Sequence, residues 1–211
     1  MEDVLDLYAE APDPERPLVC FDEKPVQPLG DVRPPEPAAP GPQGHPRRAD
    51  YEYRREGTCN VFLSFAPHLG WRRVEVTERR TAVDVAHQLR RLADEDFPDA
   101  AAIRLVWDNL NVHTLAVLYE AFPPAEARRL ARRFELHPTP KHGSWLNTVE
   151  LELSVLERQC LGRRLPTRAA VADAAAAWER GRNAARVKVT WRFNTDAARH
   201  KLARLYPALP S

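Results

Sequence analysis

The chain has 211 residues, 44% of them hydrophobic, and a formal net charge of +1. That suffices for one domain with a substantial core and does not call for a second full domain. No basic stretch leads into an apolar one near Met1 and no window approaches membrane-spanning length, so a cytoplasmic protein that touches no membrane is expected.

The near-zero net charge conceals a segregation. Residues 1–127 carry 14 Lys+Arg against 23 Asp+Glu, a balance of −9, whereas residues 128–211 carry 17 against 7, a balance of +10. The basic half is mostly arginine, which suits bidentate phosphate contacts, so a polyanion such as DNA is a plausible partner. Solvated helix faces would explain the arginine abundance but not its segregation. Cys20, Cys59 and Cys160 are odd in number, widely spaced and set among apolar neighbours, which favours buried thiols over disulfides or zinc ligands.

In chain order, Met1 to Arg16 reads as a residual linker with Val4-Leu5-Asp6-Leu7-Tyr8 at its start, and Leu18 to Asp22 as a buried strand. From Pro25 to Gly57 eight prolines and three further glycines break any ladder, which predicts a long irregular insertion; loops of that length inside a domain are uncommon and are usually functional or disordered. Its end carries Arg47, Arg48, Tyr51, Tyr53, Arg54 and Arg55, a guanidinium and aromatic mixture suited to DNA backbone or a second protomer, the bland alternative being a polar linker. Thr58 to Phe65 and Trp71 to Thr77 flank a turn at Pro67 to Gly70 and read as a hairpin. Thr81 with Asp84 predicts a capped helix whose apolar side is Val85, Leu89 and Leu92. A strand at Ile103 to Trp107 follows, then two short helices, Val112 to Ala121 and Pro124 to Arg133, and a short strand at Phe134 to His137. Trp145 to Leu161 has apolar residues at spacings of three and four and predicts the clearest helix, with further helices at Ala169 to Ala185 and Thr195 to Leu205.

Three acids sit at the ends of these elements: Asp22 and Asp108 where apolar strands stop, and Glu150 near the start of the long helix, bordering its buried face. Neighbouring parallel strands lie about 4.8 Å apart, so carboxylates at their ends repel and raise one another's pKa. A divalent cation removes that conflict. Two such ions about 3.5 to 4 Å apart can activate an attacking oxygen and stabilise a leaving one, which is phosphoryl transfer without a covalent enzyme intermediate. A lone strand-end aspartate more often caps a turn; the constellation is the specific signal.

The blocks Cys20-Phe21-Asp22-Glu23-Lys24, Trp107-Asp108-Asn109-Leu110-Asn111-Val112-His113 and Pro140 to Glu150, with Lys141-His142-Gly143-Ser144-Trp145-Leu146-Asn147 inside the last, resemble the catalytic blocks of insertion-sequence transposases of the mariner superfamily, a branch of the DDE transposases. The resemblance spans about Pro17 to Pro207. It implies an α/β RNase H-like fold, a mixed five-stranded sheet flanked by helices, over residues 17–207, with the proline-rich insertion at 25–57 in the position of a clamp loop and a tail at 208–211. It implies Asp22, Asp108 and Glu150 as catalytic metal ligands for two Mg2+ or Mn2+ ions, double-stranded DNA as substrate and a homodimer as the working form. Members normally carry helix-turn-helix domains that read the transposon ends. None is evident before Pro17, so the chain resembles a catalytic half without its reader: a fragment, the second product of a frameshifted element whose other product supplies the module, or a degraded copy. The Asp108 to Glu150 spacing is wider than that family's norm, and the Pro123-Pro124 break with its added helical turn can absorb it.

The expected function is therefore DNA strand cleavage followed by strand transfer. The alternatives are a non-catalytic DNA-binding or regulatory transposase remnant and another RNase H-like nuclease. Around the acids, Asn109, His113, Lys141, His142, Trp145 and Asn147, with Arg47, Arg48, Arg54 and Arg55, are candidates for DNA contact or for hydrogen bonding to the metal ligands; a histidine beside a carboxylate more often does the latter. Trp145 could stack on a base, although core is a tryptophan's commoner fate. Glu23 should point to the opposite face from Asp22, and Glu152 away from Glu150. The row Arg128, Arg129, Arg132 and Arg133 places like charges together, which is costly unless something anionic lies opposite.

Overall fold

The computed structural model describes residues 1–108 and 113–206; the candidate Asn109, the helix start expected at Val112 and the tail at 208–211 lie outside the described residues. Helix α1 (Glu2–Ala9) precedes strand β1 (Leu18–Val26), and β2 (Leu29–Asp31) and β3 (Tyr53–Arg55) form a small ribbon of their own. Then come β4 (Cys59–Ala66), β5 (Trp71–Thr77), α2 (Ala82–Arg91), β6 (Ile103–Trp107), α3 (Val117–Ala121), α4 (Pro124–Ala131), β7 (Phe134–Pro138), α5 (Val149–Leu156), α6 (Arg168–Ala184) and α7 (Thr195–Lys201).

The main sheet has the order β5-β4-β1-β6-β7. Strands β1, β4 and β5 are antiparallel, as hairpin-connected strands must be, while β6 and β7 run parallel to β1 and reach it through helical crossovers. This mixed five-stranded order, flanked by helices, is the RNase H-like arrangement. Alternation along β1 divides the core in two. Leu18 and Cys20 face a cluster built with α1, α5 and α6, while Val19 and Phe21 face one built with α2, α3 and α4. Burial on both faces is why β4 and β6 are apolar almost without interruption.

Local chemistry accounts for the element ends. Thr81 and Asp84 form a reciprocal capping box on α2. At the β4–β5 turn Gly70 has φ +66°, and a Cβ there would lie 2.5 Å from the Arg186 carbonyl oxygen, so both conformation and space require glycine. The helix expected over Trp145 to Leu161 is divided: a 3-10 turn (Ser144–Leu146), a break at Asn147, α5, then a π turn (Glu157–Leu161). The break arises because Asn147, fully buried, turns its amide to donate to the Phe21 carbonyl at 2.9 Å instead of continuing the helix.

Two segments differ from the sequence expectation. Residues 1–16, read as a residual linker, carry α1, whose Val4, Leu5, Leu7 and Tyr8 are buried in the larger core cluster. The Tyr8 hydroxyl donates to the Leu146 carbonyl at 2.7 Å and accepts from the Thr148 amide at 3.2 Å, so α1 braces the entry to α5. The 25–57 insertion, read as irregular, is an antiparallel hairpin. Leu29↔Arg55, Gly30↔Arg54, Asp31↔Tyr53, Glu36↔Arg48 and Ala39↔His45 share one register, the paired numbers always adding to the same total, and the Gly44 amide closes the tip on the Gly41 carbonyl. Its prolines remove ladder donors and space the pairings out without ending them.

The charge segregation seen along the chain is answered in space at a few positions. Arg129 pairs with Asp94 and Glu126, Arg164 with Asp31, Arg168 with Glu78, and Arg199 with Glu2. The arginine row on α4 is thus answered, at Arg129, by this chain's own acids. Glu152 turns away from Glu150, as expected, into a buried pairing with Arg72 and Arg182.

Candidate active site

The parallel pairing of β1 with β6 runs Leu18↔Arg104, Val19↔Leu105, Cys20↔Val106, and the same register continued by two residues sets Asp22 beside Asp108. Both acids share the alternation of Cys20 and Val106 and so point to the α5 side of the sheet. Glu150, in the first turn of α5, is brought there by the Asn147 bond to Phe21, the residue before Asp22. Buried Thr148 adds a bond to the Cys20 sulfur at 3.0 Å. Asp22, Asp108 and Glu150 line one cleft with Glu23, Lys24, Ser144, Ser154, Glu157 and Arg158.

The electrostatics of that cleft are unfavourable to bare carboxylates. Burial, and after it the charges of Asp108, Glu23 and Glu150, push Asp22 up to about 7, against one lowering bond from the Glu23 amide at 2.8 Å. Burial and then Asp108 also raise Glu150, against Lys24, which instead pairs with Glu157 at 2.7 Å. Carboxylates that line one cleft, with Asp108 raising both of the others, are a donor set suited to a hard divalent cation. Asp22, Asp108 and Glu150 would hold it, and the cation would polarise phosphoryl oxygen and acidify a bound water.

His113 sits at the edge of the site. Its ring stacks on Trp107 with centroids 5.1 Å apart and planes 4° from parallel, and meets Phe21 edge-on at 5.8 Å. Nδ1 donates to Asp108 Oδ1 at 2.6 Å and Nε2 to Glu23 Oε2 at 3.0 Å. Burial works against the protonated ring, but the bonds to Asp108 and Glu23 outweigh it and lift His113 to about 9. Ligand atoms of Asp22, Glu23 and His113 lie within 4.8 Å of one another.

The remaining sequence candidates scatter. Asn147 is an internal brace. Lys141 and His142 are exposed, His142 with φ +63°. Trp145 is 45% exposed and leans on Trp191 and Phe193 at 6.5 and 5.8 Å, neither core nor free. Arg47, Arg48, Arg54 and Arg55 all lie exposed on the hairpin arm, Arg48 near Glu36 and Arg54 near Glu56. Sequence reasoning did not select Glu23, Lys24, Ser154, Glu157 or Arg158. Lys24 could have been found from its period-two relation to Asp22, and Ser154 from its position four after Glu150.

A family model described as DDE superfamily endonuclease matches residues 17–172, and the chain belongs to that family. Endonucleases of this family depend on divalent metal. Among solved structures the chain is similar to the Mos1 transposase paired-end complex with left transposon end (13% identity, TM-score 0.39, 89% of this chain and 60% of that one). A second is the Mos1 mariner paired end complex with Mn (14% identity, TM-score 0.39, 88% and 60%). A third is the large terminase nuclease from thermophilic phage G20c (13% identity, TM-score 0.23, 86% and 73%). The chain thus spans 60% of the length of each of the two transposase chains. No curated protein matches it significantly. Among the described residues no helix is long and apolar enough to cross a membrane.

Proposed function

We propose that this chain is the catalytic domain of a mariner-superfamily transposase of the insertion-sequence branch, acting on double-stranded DNA. The observation that carries the reading is the β1–β6 register, which sets Asp22 beside Asp108 at the sheet end that Glu150 also faces. In it, Asp22, Asp108 and Glu150 would hold Mg2+ or Mn2+, two ions in the full site, which would supply Lewis-acid polarisation of phosphoryl oxygen. Water attacks the phosphorus and the 3′-oxygen leaves as a hydroxyl; that hydroxyl then attacks a target phosphodiester in the same way. The catalytic unit proposed is residues 17–207 with α1 packed against it, working as a homodimer, the hairpin arm offering Arg47, Arg48, Arg54 and Arg55 to phosphate or to the second protomer. Reading of the transposon ends falls to a helix-turn-helix module of the kind the resemblance implies.

The test is single-turnover nicking of an end-containing duplex with Mg2+. Asp22→Asn, Asp108→Asn and Glu150→Gln each remove a ligand charge at constant volume, and each is expected to slow nicking by roughly 100- to 1,000-fold or more while the protein stays folded. Wild-type rates in any one of them would remove that residue from the site.

A further inference from the structure

Glu23 belongs by alternation to the face of β1 opposite Asp22, yet it is buried and joined to the site through His113. The imidazole lies flat on Trp107 and is flanked by Phe21, so its plane cannot rotate without losing both aromatic contacts. In that one plane each ring nitrogen meets a carboxylate oxygen, Asp108 at 2.6 Å and Glu23 at 3.0 Å. Each nitrogen is thus tied to a different acid, and the ring bridges Asp108 and Glu23. The far oxygen of Glu23 lies 3.6 Å from Arg80 Nη1, which ties that carboxylate in turn.

We infer that Glu23 and His113 are positioning residues for Asp108: Glu23 sets the orientation of the imidazole, and the imidazole sets the plane of the Asp108 carboxylate presented to the divalent cation. The inference rests on the proposed role of Asp108 as a metal ligand. Asp108 follows the last residue of β6, and the ring that bonds to its carboxylate is held between Trp107 and Phe21, so the bond carries a fixed direction. Partners that orient a metal ligand in this way typically matter by about 10- to 100-fold in metal affinity.

The experiment measures Mn2+ affinity by the electron paramagnetic resonance signal of free Mn2+, with the intact chain and no DNA, beside the nicking rate. Asp108→Asn calibrates it. His113→Ala and Glu23→Leu are each expected to weaken Mn2+ about 10- to 100-fold. The double variant should be no weaker than the worse single one, because both break the same bridge. His113→Asn, whose amide nitrogen can stand near the place of Nδ1, should recover most of the loss, and Glu23→Gln, which keeps an acceptor for Nε2, should stay near wild type. Wild-type affinity in Glu23→Leu, or losses that multiply in the double variant, would overturn the inference. If Glu23→Leu does not fold, His113→Asn against His113→Ala decides alone, and equal affinities overturn it. Should Asp108→Asn itself bind Mn2+ normally, the fault lies with the assignment of the metal site and not with the bridge.

Discussion

The C-terminal end of β1 and β6 and the hairpin arm both gather polar and charged side chains, but they hold them by opposite means. At the sheet end, Asp22 is 5% exposed and its neighbours are set by buried bonds, Asn147 to Phe21, Thr148 to Cys20, and His113 to Asp108 and Glu23. Along the arm, residues 32–55 are almost all exposed, and order comes from spaced backbone pairings with surface ion pairs such as Arg48–Glu36 and Arg54–Glu56. Buried bonds are costly to break because the freed groups cannot find water, whereas exposed pairs are worth little. The contrast separates a candidate site held by buried bonds from an exposed surface held by spaced backbone pairings.

Graded substitutions can break that contrast. Phe21→Ala should have the largest effect: Phe21 is fully buried, stacks with Phe62 at 5.9 Å and flanks His113, so the loss should be about 3 to 5 kcal/mol in urea unfolding, with metal affinity falling as well. Tyr8→Phe should follow, at about 1 to 3 kcal/mol, since it leaves the Leu146 carbonyl and the Thr148 amide without their buried partner. Replacing residues 32–52 by a short glycine-containing turn should move the melting temperature least, because none of them belongs to either core cluster. A loss comparable to that of Phe21→Ala would show the arm to be part of the folding unit.

A pH series sharpens the same point. Asp22 titrates near 7 in the folded protein against an ordinary 3.8, so between those values the folded state binds the extra proton and stability falls as pH rises. His113 titrates near 9 against 6.5, so its contribution is complete below 6.5 and is lost as pH climbs towards 9. Metal-free protein should therefore melt at progressively lower temperature from pH 4 to 9, and Asp22→Asn should flatten the part below 7. An unchanged slope in that variant would place the titration elsewhere.

Much of this was legible in the sequence, and for physical reasons. Strands buried on both faces must be apolar, so β1, β4 and β6 declare themselves, and Thr81 with Asp84 marks the start of α2 through its own hydrogen bonds. The acids at the ends of β1 and β6 follow from where the apolar runs stop. What stayed hidden depends on partners distant in the chain. Helix α1 is short and acidic, and only its docking on Leu146 and Thr148 shows that it is no linker. Prolines mask the arm's pairing because the bridges at Glu36 and Ala39 fall between them. Which arginines of the basic C-terminal half are taken up by acids of the other half, as Arg164, Arg199 and Arg129 are, depends on contacts distant in the chain. Alternation along β1 sends Glu23 away from Asp22, but nothing local in sequence announces that its carboxylate lines the same cleft and meets His113.

Whether Asp22, Asp108 and Glu150 form one divalent-cation site can be read from metal-dependent thermal stability. A cation bound only by the folded arrangement raises Tm with its concentration and relieves the repulsion that lifts Asp22 and Glu150. Tm is expected to rise across millimolar Mn2+ in the wild type, and the rise to be lost in Asp22→Asn, Asp108→Asn and Glu150→Gln alike. A Tm indifferent to Mn2+, or an undiminished rise in all three variants, would contradict it.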